Sequence, residues 1–168
     1  MTSARMSSVR RSCIAVGRSH HIIDIENLYG EHRRAQYQPW FADLYAEVVG
    51  LGSTDLVSVA ADYKRTFAVS SVFPGARRLV GRGLDGADVA LIDSIDWPSL
   101  ARGCDTVVIA SGDYRFVDVA YRARALGLRV VVVSRRRSLS RYLECQADEV
   151  IEFPEFDPAV PPQFVRAA

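Results

Sequence analysis

Lysine is almost missing from this chain. Of its 21 basic residues only Lys64 is a lysine, and the other 20 are arginines. Cysteine is scarce as well. Cys13, Cys104 and Cys145 make an odd count with no C-x-x-C spacing, which argues against a disulfide framework and against a zinc knuckle. The three histidines, His20, His21 and His32, are too few and too clustered for a His-rich metal cage. No apolar stretch reaches the ~18 residues of a membrane helix. No Walker A phosphate loop occurs. Strong net charge is lacking too: the formal value is +1, so charge alone makes no case for a nucleic acid or a membrane. A reducing cytoplasm is the simplest compartment for such a chain.

What is present is a core-forming composition. The chain has 168 residues, 49% of them hydrophobic, which suits one domain with a full core. Residues 1–20 carry Arg5, Arg10, Arg11 and Arg18 with no acid, and read as a loosely ordered basic arm. The apolar run Cys13 to Val16 is too short for a signal peptide. Residues 21–153 alternate short apolar runs with longer amphipathic ones, the pattern of βα units on a parallel sheet. Strands are expected at His21–Ile25, Asp55–Ala61, Arg77–Val80, Thr106–Ala110, Arg129–Val133 and Glu149–Phe153. Helices are expected at Pro39–Val49, Lys64–Phe73, Gly86–Ile95, Tyr114–Leu126 and Ser138–Ala147, with Trp97-Pro98 as a stop. Residues 154–168 hold Pro154, Pro158, Pro161 and Pro162 and read as a tail.

In an open parallel sheet, ligands bind beyond the carboxyl ends of the strands. Asp24 falls at the end of the first strand, Asp113 just past the fourth, and Asp88 in the first turn of the helix after the third. Three acids thus reach one edge, and hard carboxylate oxygens are what Mg²⁺ or Mn²⁺ prefers. Such an ion can stabilise charge on a phosphodiester. Each acid also has a plain structural reading. Asp113 suits a helix N-cap, and Asp88 complements a helix dipole. Asp24 interrupts the apolar run Ile22-Ile23-Asp24-Ile25, where an unpaired charge is costly. Asp93 and Asp118 are candidate auxiliary ligands, each five residues after a principal acid, and Asp85 can approach from its loop.

The segments Ile23-Asp24-Ile25-Glu26-Asn27-Leu28, Gly86-Ala87-Asp88-Val89-Ala90-Leu91 and Ile109-Ala110-Ser111-Gly112-Asp113 resemble NYN domains of the PIN-like superfamily. Gly127 to Val133 followed by Ser138-Leu139-Ser140-Arg141 is similar to the bacterial branch of that family. The resemblance spans His21 to Phe153. It implies a three-layer α/β/α PIN-like (Rossmann-like) domain with a central parallel sheet. It also implies a metal-dependent ribonuclease, with Asp24, Asp88 and Asp113 on Mg²⁺ or Mn²⁺ and Asn27 as the motif asparagine. RNA is the implied partner, and pairing into a homodimer is common among PIN-like domains. One departure stands out: where many relatives place an acid two residues after the Ser-Gly-Asp aspartate, this chain has Arg115. That substitution keeps open an RNA-binding domain with weak catalysis or none.

Arg135, Arg136 and Arg137 follow a central strand at the same edge, and with Ser111 and Asn27 they are candidate substrate contacts. Tyr114 is positioned to stack a base, whereas Phe116 reads as core. Gly81-Arg82-Gly83-Leu84-Asp85-Gly86 spells G-x-G-x-x-G ahead of a helix and raises a nucleotide-cofactor reading. Against it, the motif follows the third strand rather than the first, and no acid closes the next strand.

Overall fold

The computed structural model describes residues 17–32, 35–83 and 85–163; most of the basic arm and residues 164–168 lie outside them. Among the described residues, six strands form one sheet: β1 (Ser19–Asp24), β2 (Leu56–Asp62), β3 (Arg77–Gly81), β4 (Thr106–Ala110), β5 (Arg129–Ser134) and β6 (Glu149–Glu152). Every pairing is parallel and the order is β3-β2-β1-β4-β5-β6. The helices are α1 (Ile25–Tyr29), α2 (Phe41–Val49), α3 (Thr66–Val72), α4 (Gly86–Asp93), α5 (Trp97–Gly103), α6 (Val117–Ala125) and α7 (Arg141–Glu144). None of them is long and apolar enough to cross a membrane.

Strand alternation builds two cores. Ile23, Val59, Val108 and Val131 face α1, α2 and α3 on one side. Ile22, Ala60, Val107 and Val130 face α4 to α7 on the other. All five residues of β4 are buried, as a central strand covered on both faces requires. The result is the three-layer α/β/α arrangement that the sequence predicts.

The structure departs from the predicted elements where side chains redirect the backbone. β1 begins at Ser19, whose N–H is held by Asp55 Oδ1 at 2.8 Å. It ends at Asp24 rather than Ile25, because the Asp24 carboxylate accepts the Asn27 N–H at 3.1 Å and so caps α1. The Gly86 helix ends before Trp97-Pro98 as expected, but a further helix starts there. Asp96 caps α5, and Pro98 sits in the first turn, where its missing N–H is no loss. The Ser138–Ala147 helix shrinks to α7, since the Ser140 N–H is taken by the Gly112 carbonyl at 2.8 Å. Past β6 the chain remains docked: Phe156 packs against Tyr29, Trp40, Phe41 and Phe153.

His21 lies fully buried in β1, with Nδ1 2.9 Å from the Tyr45 hydroxyl and Nε2 3.4 Å from Asp55 Oδ2. Burial lowers its pKa from 6.5 to about 4, and the Asp55 charge opposes that shift only in part. Between those values an unfolded chain binds a proton that the native ring refuses, so acid favours unfolding. The contribution is roughly 3 kcal/mol once pH 4 is reached. An NMR titration should find the His21 ring neutral at pH 5; a midpoint near 6.5 would refute this account.

Candidate active-site cleft

β1 and β4 are neighbours from which the chain leaves toward opposite faces of the sheet. Such a switch point opens a crevice at the carboxyl ends of the strands. Asp24 is the last residue of β1 and, two residues after Ile22, faces the α4 layer. α4 is brought close by glycine: a Cβ at Gly81 would run into the backbone of Gly86 and Ala87. That approach sets Asp88, in the first turn of α4, beside Asp24. The two residues are 5% and 6% exposed.

Asp24 is held from three sides. Its Oδ1 accepts the Asn27 N–H, its Oδ2 accepts the Ser111 hydroxyl at 3.2 Å, and the carboxyl of Asp88 is its close neighbour. Burial, and then the charge of Asp88, hold its pKa well above the usual carboxylate range. Burial raises Asp88 as well, while Arg115 and the bond from Asp24 pull it down. Burial of the two adjacent acids thus opposes the charged form of both, most strongly at the deeper Asp24.

Around the pair lies a cleft of about 890 Å³, lined by Asp24, Glu26, Glu31, Asp62, Asp85 and Asp88 with Arg135 the basic residue among them. Two adjacent buried acids, in a cleft rich in oxygen donors, suit a hard divalent cation. Among the described residues, however, no three His, Cys, Asp or Glu side chains are grouped closely enough to hold one.

The expected trio is therefore brought together only in part. Asp113 acts as a cap: its Oδ1 accepts the Arg115 N–H at 2.9 Å at the start of a 3₁₀ turn, Tyr114–Phe116. It does not line the cleft, although its charge still raises Asp88. Asp93 and Asp118 are exposed and also lie outside the cleft lining; for Asp93, five residues of α4 turn it far from Asp88. Ser111 is fully buried behind Asp24, where it orients that carboxylate and does not reach the cleft.

Asn27 lines the cleft and ties it together: its Oδ1 accepts the Gly112 N–H at 3.0 Å, and its carbonyl accepts Arg135 Nε at 3.3 Å. Arg135 is 9% exposed, reaches the Ser138 hydroxyl at 2.7 Å, and lies so close over Gly30 that a Cβ there would overlap its guanidinium. Arg136 and Arg137 are exposed and outside the cleft lining. Phe116 is buried, and Tyr114 is exposed. Glu26 and Asp62 belong to the cleft and were not singled out from the sequence. Asp62 ends β2, so the strand-end rule applied one residue later finds it.

A family model for the NYN domain matches residues 18–154. Among curated proteins none matches the chain. A crystal structure of a protein of unknown function from Vibrio parahaemolyticus superposes with a TM-score of 0.61 at 18% identity, covering 82% of this chain and 93% of that one. At that identity the likeness speaks for the fold alone.

Because burial raises the Asp24 pKa above its unfolded value, the stability of the metal-free fold falls as pH rises out of the acid range through that shift. Asp24→Asn removes that charge and keeps an oxygen to cap α1. In chelator at pH 7 it should raise the thermal midpoint by a few degrees. A lower midpoint, read by circular dichroism, would contradict the burial argument.

Proposed function

Because the chain belongs to the NYN domain family of the PIN-like nuclease superfamily, we propose that it is a metal-dependent ribonuclease, hydrolysing RNA phosphodiester bonds in the Asp24–Asp88 cleft. One observation carries this reading: two buried acids, Asp24 and Asp88, stand side by side at the switch point of the sheet, inside a cleft roomy enough for a nucleotide. Asp24 and Asp88 would hold Mg²⁺ or Mn²⁺. When bound, such an ion supplies positive charge for the phosphodiester and acidifies a coordinated water.

The chain's own residues do the remaining work. The Ser111 hydroxyl and the Asn27 N–H fix both oxygens of Asp24, so the carboxylate does not reorganise when it gives up its proton. Asn27 also fixes the Gly112 loop across from it. Arg135 lines the floor, already engaged by Asn27 and Ser138, and positions the wall. Arg136 and Arg137 offer exposed guanidinium groups for backbone phosphates, and the Tyr114 ring offers a stacking face. A second reading, an RNA-binding domain of weak activity, is favoured by one contact: the Arg115 guanidinium stands 3.8 Å from Asp88 Oδ2.

Purified protein should degrade single-stranded RNA with Mn²⁺, and excess chelator should stop it. Asp24→Asn and Asp88→Asn should each lower the rate by about a hundredfold or more. Asp113→Asn preserves a capping oxygen and should cost far less. An equal loss there would put Asp113 among the ligands. Cleavage that persists in Asp24→Asn and in chelator would sink the mechanism, and salt-sensitive RNA binding with no cleavage under any divalent metal would favour the second reading.

A further inference from the structure

We propose that Arg115 is a resident counter-cation of the cleft, occupying the outer side of Asp88 so that the cleft takes up a single divalent ion between Asp24 and Asp88. The inference rests on the metal-site reading above and specifies its stoichiometry.

The guanidinium is fixed at both ends. Its backbone N–H is held by Asp113, and the adjacent Phe116 is buried in the core. At its tip, Nη2 reaches Asp85 Oδ2 at 2.5 Å while Nε stands 3.8 Å from Asp88 Oδ2. Asp85 meets it from a backbone φ of 58°, a left-handed conformation that non-glycine residues adopt sparingly. The loop before α4 is thus shaped to deliver a carboxylate to this cation.

The charge balance of Asp88 then differs between its two sides. Outward it faces a guanidinium shared with Asp85. Inward it faces Asp24, which is held by two neutral donors, the Ser111 hydroxyl and the Asn27 N–H. The deficit of positive charge lies on the inner side. A second ion on the outer side would have to displace Arg115 from Asp85 and would be repelled by it at short range. Arg115 is only 34% exposed, so solvent screens that repulsion incompletely.

The test uses Mn²⁺ alone on the full chain, followed by the loss of the free-ion electron paramagnetic resonance signal and by isothermal titration. Wild type should bind one ion, and Arg115→Lys, which keeps the charge, should match it. Arg115→Ala should bind a second ion and hold the first about tenfold tighter or more. Should Arg115→Ala fail to fold by circular dichroism, Arg115→Gln carries the same expectation. If the neutral variant titrates like wild type while Asp24→Asn abolishes uptake, the resident-cation role is overturned and the metal site stands. If wild-type uptake is indifferent to Asp24→Asn and Asp88→Asn, both fall.

Discussion

Asp24 ends the central strand with 5% of its surface exposed, and a carboxylate there cannot remain charged without a partner. Leaving it unpaired would cost several kcal/mol, a large part of a domain's whole stability. Much of the local structure can be understood as an answer to that constraint. α1 starts where it does because Asp24 caps it, and Ser111 lies buried behind the strand end because it donates there. α4 approaches through Gly81 and Gly86, which places Asp88 beside Asp24. These contacts come from β1, the α1 turn, the β4 loop and α4, so the acid pair fastens four segments around the switch point.

Positive and negative charge are separated across this edge. The cleft is lined by six carboxylates, whereas Arg136 and Arg137 stand exposed outside it. A polyanion drawn to the arginines would be repelled from the acids a few residues away. On the proposed reading the two effects cooperate: a cation in the cleft removes the repulsion, and a phosphate near the cation adds to its binding. The near-zero net charge of the chain conceals this arrangement, because it sums groups that act at different places.

How much of this was legible in the sequence depended on whether the signal was local. Asp24 stood out because it broke an apolar run, and Asp88 because a first-turn position follows from helix spacing. The parallel sheet followed from β4 and β5, whose unbroken β-branched runs fit a strand covered on both faces. Local capping explains most of the misses. Asp96 restarts a helix where Pro98 reads as a stop, and Asp24 closes β1 one residue early. Asp113 carried two readings, ligand and cap, and sequence spacing cannot separate them; in the structure its Oδ1 caps the turn at Tyr114 while its charge acts on Asp88. The direction of Arg115 was beyond reach altogether, since it depends on Asp85 adopting a positive φ on a loop 30 residues away in the chain.

The glycine motif shows why a pattern needs its chemical surroundings. In a dinucleotide fold, glycines at a strand-to-helix turn let a pyrophosphate approach the helix N-terminus. Here Gly81 and Gly86 make the same kind of close approach between β3 and α4. The first turn of that helix, however, carries Asp88, with Asp24 beside it and Asp85 before it. An anion entering there would meet carboxylates in a poorly solvated site, where repulsion is strongest. The glycines therefore serve to bring an acid inward, and on the proposed reading a phosphate follows only once a cation is in place.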